Sequence, residues 1–388
     1  MKIFFLIVIL CGQLYAGDPE RVSPSENFLS QGFILDSYHS IGFSNLNHAF
    51  VAEIISANPA SLTRLKNFQL GMNYEYATKI DHLVFSDIEQ SRSRQWLPSA
   101  FGSHVSLNNF HFGLGYYRRY SSSLDFGPIP VTTVDDMSGE SGETFTLNSE
   151  KSLYSFGGIV AYYLPNLAFV NDALSVGLQL NINYFRAFET VPNFEVTKKG
   201  HDFNWKIGLN YAANDLMHIG FVYESGIHIS GSYPVEGLIF NSDSSAQYDF
   251  NRQFSNKFEA RLPQKIAVGF GLWPHSSVQF STALSKILWR DIYDHVDDNY
   301  EFSMHTIMHL HRNFSATAGI YHNWLSIKKS FQQDYVNGID YTYLNLGFFY
   351  QFRNLSLSAE LYDSHWQSSK DMQRTIFKFG IGYRFARE

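Results

Sequence analysis

Leu174-Ser175-Val176-Gly177-Leu178-Gln179-Leu180-Asn181-Ile182-Asn183-Tyr184 alternates apolar and small or polar residues without a break. Phe203-Asn204-Trp205-Lys206-Ile207-Gly208-Leu209-Asn210-Tyr211 repeats the pattern. Successive strand side chains point to opposite faces, so each stretch has one greasy and one polar face. Similar alternations recur over residues 68–385. Segments of about ten residues, repeated down one chain, are what a membrane-spanning β-barrel needs.

Composition agrees. Aromatic residues make up 17% of the chain and charged residues also 17%. A water-soluble protein of this size carries more surface charge, whereas a barrel buries its outer face in hydrocarbon. No stretch after the first residues reaches the ~18 consecutive apolar residues of a transmembrane helix. The net charge of −7 argues against nucleic acid as a partner.

Residues 1–16 read as a signal peptide, with Lys2, an apolar run over residues 3–10 and Leu14-Tyr15-Ala16 before Gly17. The single cysteine, Cys11, lies in this segment, so the mature chain is expected to have no disulfide. Cys11 as a lipid-attachment site is the alternative, but Leu10 is bulky for that processing. Residues 17–65 lack the two-residue period and are expected to pack as a compact element with the barrel. Within them, residues 48–56 predict a short helix with Phe50, Val51, Ile54 and Ile55 on one side.

From residue 66 the pattern predicts about fourteen strands, including 66–76, 109–120, 216–229 and 254–272. The connections alternate. Asn108-Asn109, Arg312-Asn313 and Arg353-Asn354 are tight, while residues 77–95, 121–150, 187–199, 230–253 and 326–339 are long. Outer-membrane barrels have short periplasmic turns and long external loops, and an even strand count leaves both termini in the periplasm. Trp96, Trp273, Trp289, Trp324 and Trp366 fall at predicted strand ends, as an aromatic girdle requires, and Trp205 falls mid-strand.

Three motifs carry a resemblance. Ala57-Asn58-Pro59-Ala60-Ser61-Leu62 precedes the first strand. Leu262-Pro263 opens a strand that runs to Trp273-Pro274, and the next strand ends in Ile287-Leu288-Trp289. Phe379-Gly380-Ile381-Gly382-Tyr383-Arg384-Phe385 closes the pattern. Together with the strand count, these resemble the FadL-type outer-membrane transporters of long-chain fatty acids and other hydrophobic compounds. A departure is that Ala386, Arg387 and Glu388 follow the last aromatic.

The resemblance implies an all-β transmembrane antiparallel barrel of about fourteen strands over residues 66–388, plugged by an N-terminal hatch over residues 17–65. It places Asn58, Pro59 and Ala60 in the hatch motif, with Phe50, Ile54, Ile55 and Leu62 as its ligand-facing apolar residues. It also implies passive diffusion of a hydrophobic ligand, such as a fatty acid, and a sideways exit through a kink in the third strand, where Gly113 and Gly115 are the candidate lateral gate. The implied setting is the Gram-negative outer membrane, with lipopolysaccharide and the barrel-assembly machinery as partners and a monomeric state. The competing reading is the same barrel as a non-transporting scaffold or secretion accessory.

Other chemistry is sparse. His305, His309 and His311 share the polar parity of one strand and, with His322 in the next, are candidates for lumen ligation. No carboxylate or cysteine completes a metal set at suitable spacing, so neither a metal nor a cofactor is expected. The loop carrying Asp125, Asp135, Asp136, Glu140 and Glu143 reads as a solvated acidic surface, as does the Asp291, Asp294, His295, Asp297 and Asp298 cluster. No nucleophile elbow, phosphate loop or dinucleotide fingerprint is present, and an enzyme is not expected.

Overall fold

The computed structural model describes residues 51–81, 91–130, 144–167, 172–191, 194–214, 216–236, 253–291, 298–324, 341–365 and 372–385. The signal peptide, residues 17–50 of the expected hatch and the acidic residues 135–143 lie outside this set.

The described residues open with helix α1 (Val51–Ser56) and a 3-10 turn (Pro59–Arg64). Sixteen strand segments follow. They are β1 (Gln69–Asp81), β2 (Ser91–Leu107), β3 (Phe110–Pro130), β4 (Thr144–Pro165), β5 (Ala173–Val191), β6 (Phe194–Asn214), β7 (Met217–Glu224) and β8 (Ile227–Glu236). Then come β9 (Gln253–Leu262), β10 (Lys265–His275), β11 (Val278–Ile287), β12 (Asn299–His311), β13 (Phe314–Trp324), β14 (Tyr341–Phe352), β15 (Leu355–Asp363) and β16 (Met372–Arg384). The ladders are antiparallel, β1 pairs with β16, and the β5–β6 pairing closes the sheet on itself.

β7 and β8 are two halves of one barrel strand, and β9 and β10 are halves of the next. The ladder runs to Lys265↔Glu224 on one side of the break and resumes at Ile227↔Leu262 on the other. Between them Ser225-Gly226 faces Pro263-Gln264. Pro263 has no N–H to give, so the ladder yields there. Counted through the breaks, the barrel has fourteen strands. The predicted strands 216–229 and 254–272 were therefore right as passages and wrong as unbroken strands.

Four of the five long connections are shorter than expected, all but 326–339, because the ladders continue beyond the apolar band. Val191 pairs with Phe194, so the predicted 187–199 loop is mostly hairpin. β3 and β4 remain paired to Pro130↔Thr144, and Asp125 sits in that ribbon opposite Asn148. At the opposite rim, Asn108 takes a φ of 53°, a conformation that asparagine tolerates in a two-residue turn.

Inside and outside are inverted relative to a water-soluble protein. On β5 the outward Leu178, Leu180 and Ile182 are exposed, while the inward Gln179, Asn181 and Asn183 are buried. The same holds for outward Phe203 and Leu209 beside inward Asn204 and Asn210 on β6. Trp205 also faces outward, against Tyr223 at 5.1 Å between ring centroids. Trp289 departs from the girdle expectation. It lies in a one-turn 3-10 helix after β11 and is buried.

Candidate functional site

Helix α1 and the 3-10 turn lie inside the barrel, and the wall is shaped to receive them. The wall device is glycine. Gly382, Gly71, Gly102, Gly115 and Gly157 pair in one continuous register across β16, β1, β2, β3 and β4. A Cβ at Gly102 or Gly115 would stand 2.3 or 2.2 Å from Ile55 Cδ1, and one at Gly71 would stand 3.0 Å from Val51 Cγ1. α1 rests on the Gly71, Gly102 and Gly115 part of this row, and its Val51, Ile54 and Ile55 cluster with Leu62 of the 3-10 turn and with Ala100, Tyr117 and Ile159 of the wall.

A second glycine pair holds the Asn-Pro-Ala motif. Gly177 and Gly208 face one another across β5 and β6. A Cβ on Gly208 would come 1.9 Å from Asn58 Oδ1, and one on Gly177 would come 2.4 Å from the Ala60 nitrogen. The backbone of Asn58-Pro59-Ala60 thus occupies the space that two side chains would fill. The Gly177–Gly208 pairing appears only once β5 and β6 are in register.

Asn58 has three jobs. Its Oδ1 accepts from the Ala60 N–H (2.9 Å), which caps the 3-10 turn. Its Nδ2 donates to Asn210 Oδ1 (2.9 Å) and to the Leu209 carbonyl (3.2 Å) on β6. Asn210 in turn donates to Ser61 Oγ (2.8 Å). Pro59 fits at the first turn because its missing N–H would have had no helical partner. Lower down, Thr63 Oγ1 meets Ser175 Oγ (2.7 Å), and Arg64 meets His218 Nδ1 (3.4 Å). Burial lowers the Arg64 guanidinium to about 10, so it remains charged at neutral pH.

The carboxyl end of α1 is closed by wall side chains. Gln179 Nε2 donates to the Ile55 carbonyl (3.0 Å), and Lys206 Nζ donates to the Ser56 carbonyl (2.8 Å). Orphan carbonyls and the negative end of the helix dipole both favour a cation there. Lys206 is also 3.6 Å from Glu224, which ion-pairs with Arg119. Arg119 donates to Ser155 Oγ (2.6 Å), Tyr117 Oη (2.8 Å) and Asn204 Oδ1 (3.1 Å). This buried network crosses β3, β4, β6 and β7, and Glu224 is the last residue before the break into β8.

Above α1 the wall parts. β2 and β3 pair from Leu107↔Phe110 only as far as Ala100↔Tyr117, while β3 stays paired with β4 to its end. The β1–β2 register shifts at the same level, where Asn73 faces Ala100 and Tyr74 faces Pro98, leaving Ser99 as the extra residue. A bulge and a proline together end the β2–β3 ladder. A small cleft adjoins this point, lined by Glu53, Asn73, Ser99, Ala100, Tyr117, Ser358, Glu360 and Lys378 among others.

The sequence-derived residues fall as follows. Asn58, Pro59, Ala60, Ile54, Ile55 and Leu62 come together in the lumen, and Phe50 lies outside the described residues. Gly113 and Gly115 sit in unbroken ladders to β2 and β4, and Gly115 is two residues below the ladder's end at Tyr117. A Cβ on Gly113 would touch Leu62 at 3.1 Å. The histidines do not converge: His305 packs on Gly319, His309 Nδ1 meets Ser315 Oγ (2.9 Å), and His311 is exposed at the turn rim. Among the described residues no three metal-binding side chains are grouped. Asp298 joins Lys286 Nζ at 2.7 Å. Burial opposes its ionisation, but Lys286 and the Arg290 N–H hold its carboxyl below the usual range.

No protein-family profile matches the chain, and no curated protein sequence does. Solved structures do. The toluene transporter TbuX of Ralstonia pickettii superposes with a TM-score of 0.61 at 11% identity, over 89% of this chain and 97% of that one. The chain has the FadL-type fold. A Pseudomonas aeruginosa FadL homologue matches at 0.59 and 14% identity, over 86% of this chain and 94% of that one. The CymD monoaromatic hydrocarbon channel matches at 0.60 and 14% identity, over 87% and 93%. The FadL-type fold is that of an outer-membrane β-barrel, in keeping with the apolar outer band.

Proposed function

We propose that this barrel carries hydrophobic molecules across the outer membrane by passive diffusion, with residues 17–65 as its hatch and both termini in the periplasm. The observation that carries the reading is the coincidence of three features at one level. The cleft lies on α1, Ala100 and Tyr117 line it, and the β2–β3 ladder stops at those same two residues. A ligand resting on α1 has a sideways route into the bilayer core, just above the candidate gate glycines Gly113 and Gly115. An apolar solute gains about 0.8 kcal/mol per buried methylene, so leaving sideways into lipid is easier than crossing a watery pore. The neighbours named as a toluene transporter and a monoaromatic hydrocarbon channel support this class of cargo. The reading involves no catalysis and no cofactor, and the barrel acts as a monomer.

The test is uptake of labelled toluene and of a long-chain fatty acid by cells that express the barrel, against cells that express a non-inserting variant. Faster entry of either compound is expected. Equal entry, with the folded barrel present in the outer membrane, would return the reading to a scaffold.

A further inference from the structure

We propose that the β8–β9 hairpin is a lid on the external mouth of the lumen, hinged at Ser225-Gly226 and Pro263-Gln264. It is closed in this structure and opens as one body to admit cargo. This rests on the transport reading above and names the moving part at its entrance.

Below the break the wall is fully laddered, with β7 paired to β6 and β10, and β10 paired to β11. Above it, β8 meets β6 in the single pair His201↔Ser230, and among the described residues β9 pairs with β8 alone. One side-chain bond adds to this, from the His228 N–H to Asp202 Oδ2 (2.5 Å). The wall side of each hinge is fixed. Ser225 donates its N–H to the Trp205 carbonyl (3.0 Å), and its Oγ accepts from the Trp205 N–H (3.0 Å). The Gln264 carbonyl accepts from the Leu288 N–H (3.0 Å), and its Oε1 accepts from the Tyr223 hydroxyl (2.9 Å). Freedom begins one residue further on. A Cβ on Gly226 would stand 2.9 Å from the Leu262 carbonyl oxygen, and Pro263 has no N–H to carry a ladder across.

The hairpin's two faces also differ from those of the wall. Its outer face carries exposed His228, Lys257 and Arg261, and Glu259 joins His228 (3.2 Å) and Arg261 (2.8 Å). Wall strands carry leucine and phenylalanine there, so this outer face belongs in water rather than lipid. On the inner face, Ile227 and Ile229 are buried with Leu153 of β4, and Phe185, Phe258 and Leu262 pack against them. The rings of Phe185 on β5 and Phe258 on β9 lie 5.9 Å apart between centroids. Three ladders separate β4 from β8 and β5 from β9. That is roughly 14 Å along the wall at the usual strand spacing. Side chains stand nearly perpendicular to a sheet, so these contacts require the hairpin to lean inward across the lumen. Apolar contact of this kind is non-directional, and an apolar cargo can take its place.

Two cysteine experiments test the lid, in a chain whose sole cysteine is Cys11. The first staples it with His201→Cys and Ser230→Cys, since residues directly opposite in an antiparallel ladder have a spacing that a disulfide accepts. Entry of labelled toluene into cells is expected to fall several-fold when the pair is oxidised and to return to the parental rate on reduction. The second reads opening directly. Leu153 is 2% exposed beneath the hairpin, and Ile159 on the same strand is equally buried against the α1 cluster. On intact cells, Leu153→Cys is expected to react with a membrane-impermeant maleimide and Ile159→Cys to stay unmodified. Heat-modifiable migration on gels confirms that each variant is folded. An inert Leu153→Cys in a folded barrel, or a staple confirmed by mass spectrometry that leaves toluene entry unchanged, would overturn the lid and leave the transport reading intact. A parental barrel that passes no toluene would overturn the transport reading, and labelling of Leu153→Cys then decides by itself whether the hairpin opens.

Discussion

Single residues decide how closely the N-terminal segment can approach the wall. Gly208 and Gly177 are small because backbone occupies the space where their side chains would be. Gly208→Val is therefore expected to push Asn58 out of its bonds to Asn210 and Leu209 while the barrel still inserts, since β6 keeps its ladders to β5 and β7. Planar-bilayer recordings should show raised ionic conductance relative to the parent. Asn58→Ala removes the cap and the wall bonds without a clash. Its cost is about 1–2 kcal/mol, so its conductance should rise less. Equal conductance in all three proteins would mean that the plug does not depend on this contact.

At the scale of elements, two interruptions shape the wall. One is the Ser99 bulge beside Pro98, where β2 and β3 part. Deleting Ser99 removes the extra residue without altering the Asn73↔Ala100 and Tyr74↔Pro98 pairs. The β2–β3 ladder is then expected to extend upward and uptake of hydrophobic compounds to fall several-fold, with thermal stability unchanged or higher. The other is the break between β7 and β8, held by Glu224 against Arg119 and Lys206. Glu224→Gln leaves two buried cations without their counter-ion, a change that typically costs about 3–5 kcal/mol. Urea titration of the refolded barrel in lipid should show the loss.

The whole molecule is organised by its solvent. Leu180, Phe203, Leu346 and Phe348 are exposed on the apolar outer face, and the polar lumen holds α1 and the 3-10 turn. An arginine placed at Leu180, on the lipid face of β5, is expected to cost about 2–4 kcal/mol if that site lies at the bilayer midplane, and less near an interface. The same substitution at lumen-facing Gln179 should instead disturb the Ile55 carbonyl contact. Comparing the two variants in equilibrium folding into vesicles separates lipid cost from plug cost.

The barrel was legible because its alternation is local. A residue's parity on a strand says which solvent it meets, and the stretches around Leu180 and Trp205 already carry that information, as does the helical spacing of Val51, Ile54 and Ile55. The Asn58-Pro59-Ala60 motif was legible too, and the resemblance placed it near a barrel of about fourteen strands. Positions that depend on register were not legible. The glycine row from Gly382 to Gly157, the Gly177–Gly208 seat and the alternating charges of Glu75, Lys378 and Glu360 exist only after strands far apart in sequence are aligned. The breaks at Ser225-Gly226 and Pro263-Gln264 likewise face each other only once β7 and β8 lie beside β9 and β10. Local period is written by each residue and its neighbours, so the sequence by itself determined the barrel and its two faces. Register follows from closing the whole ring of hydrogen bonds, so only the tertiary structure decided where α1 and the 3-10 turn sit, where the wall parts and which side chains share the cleft.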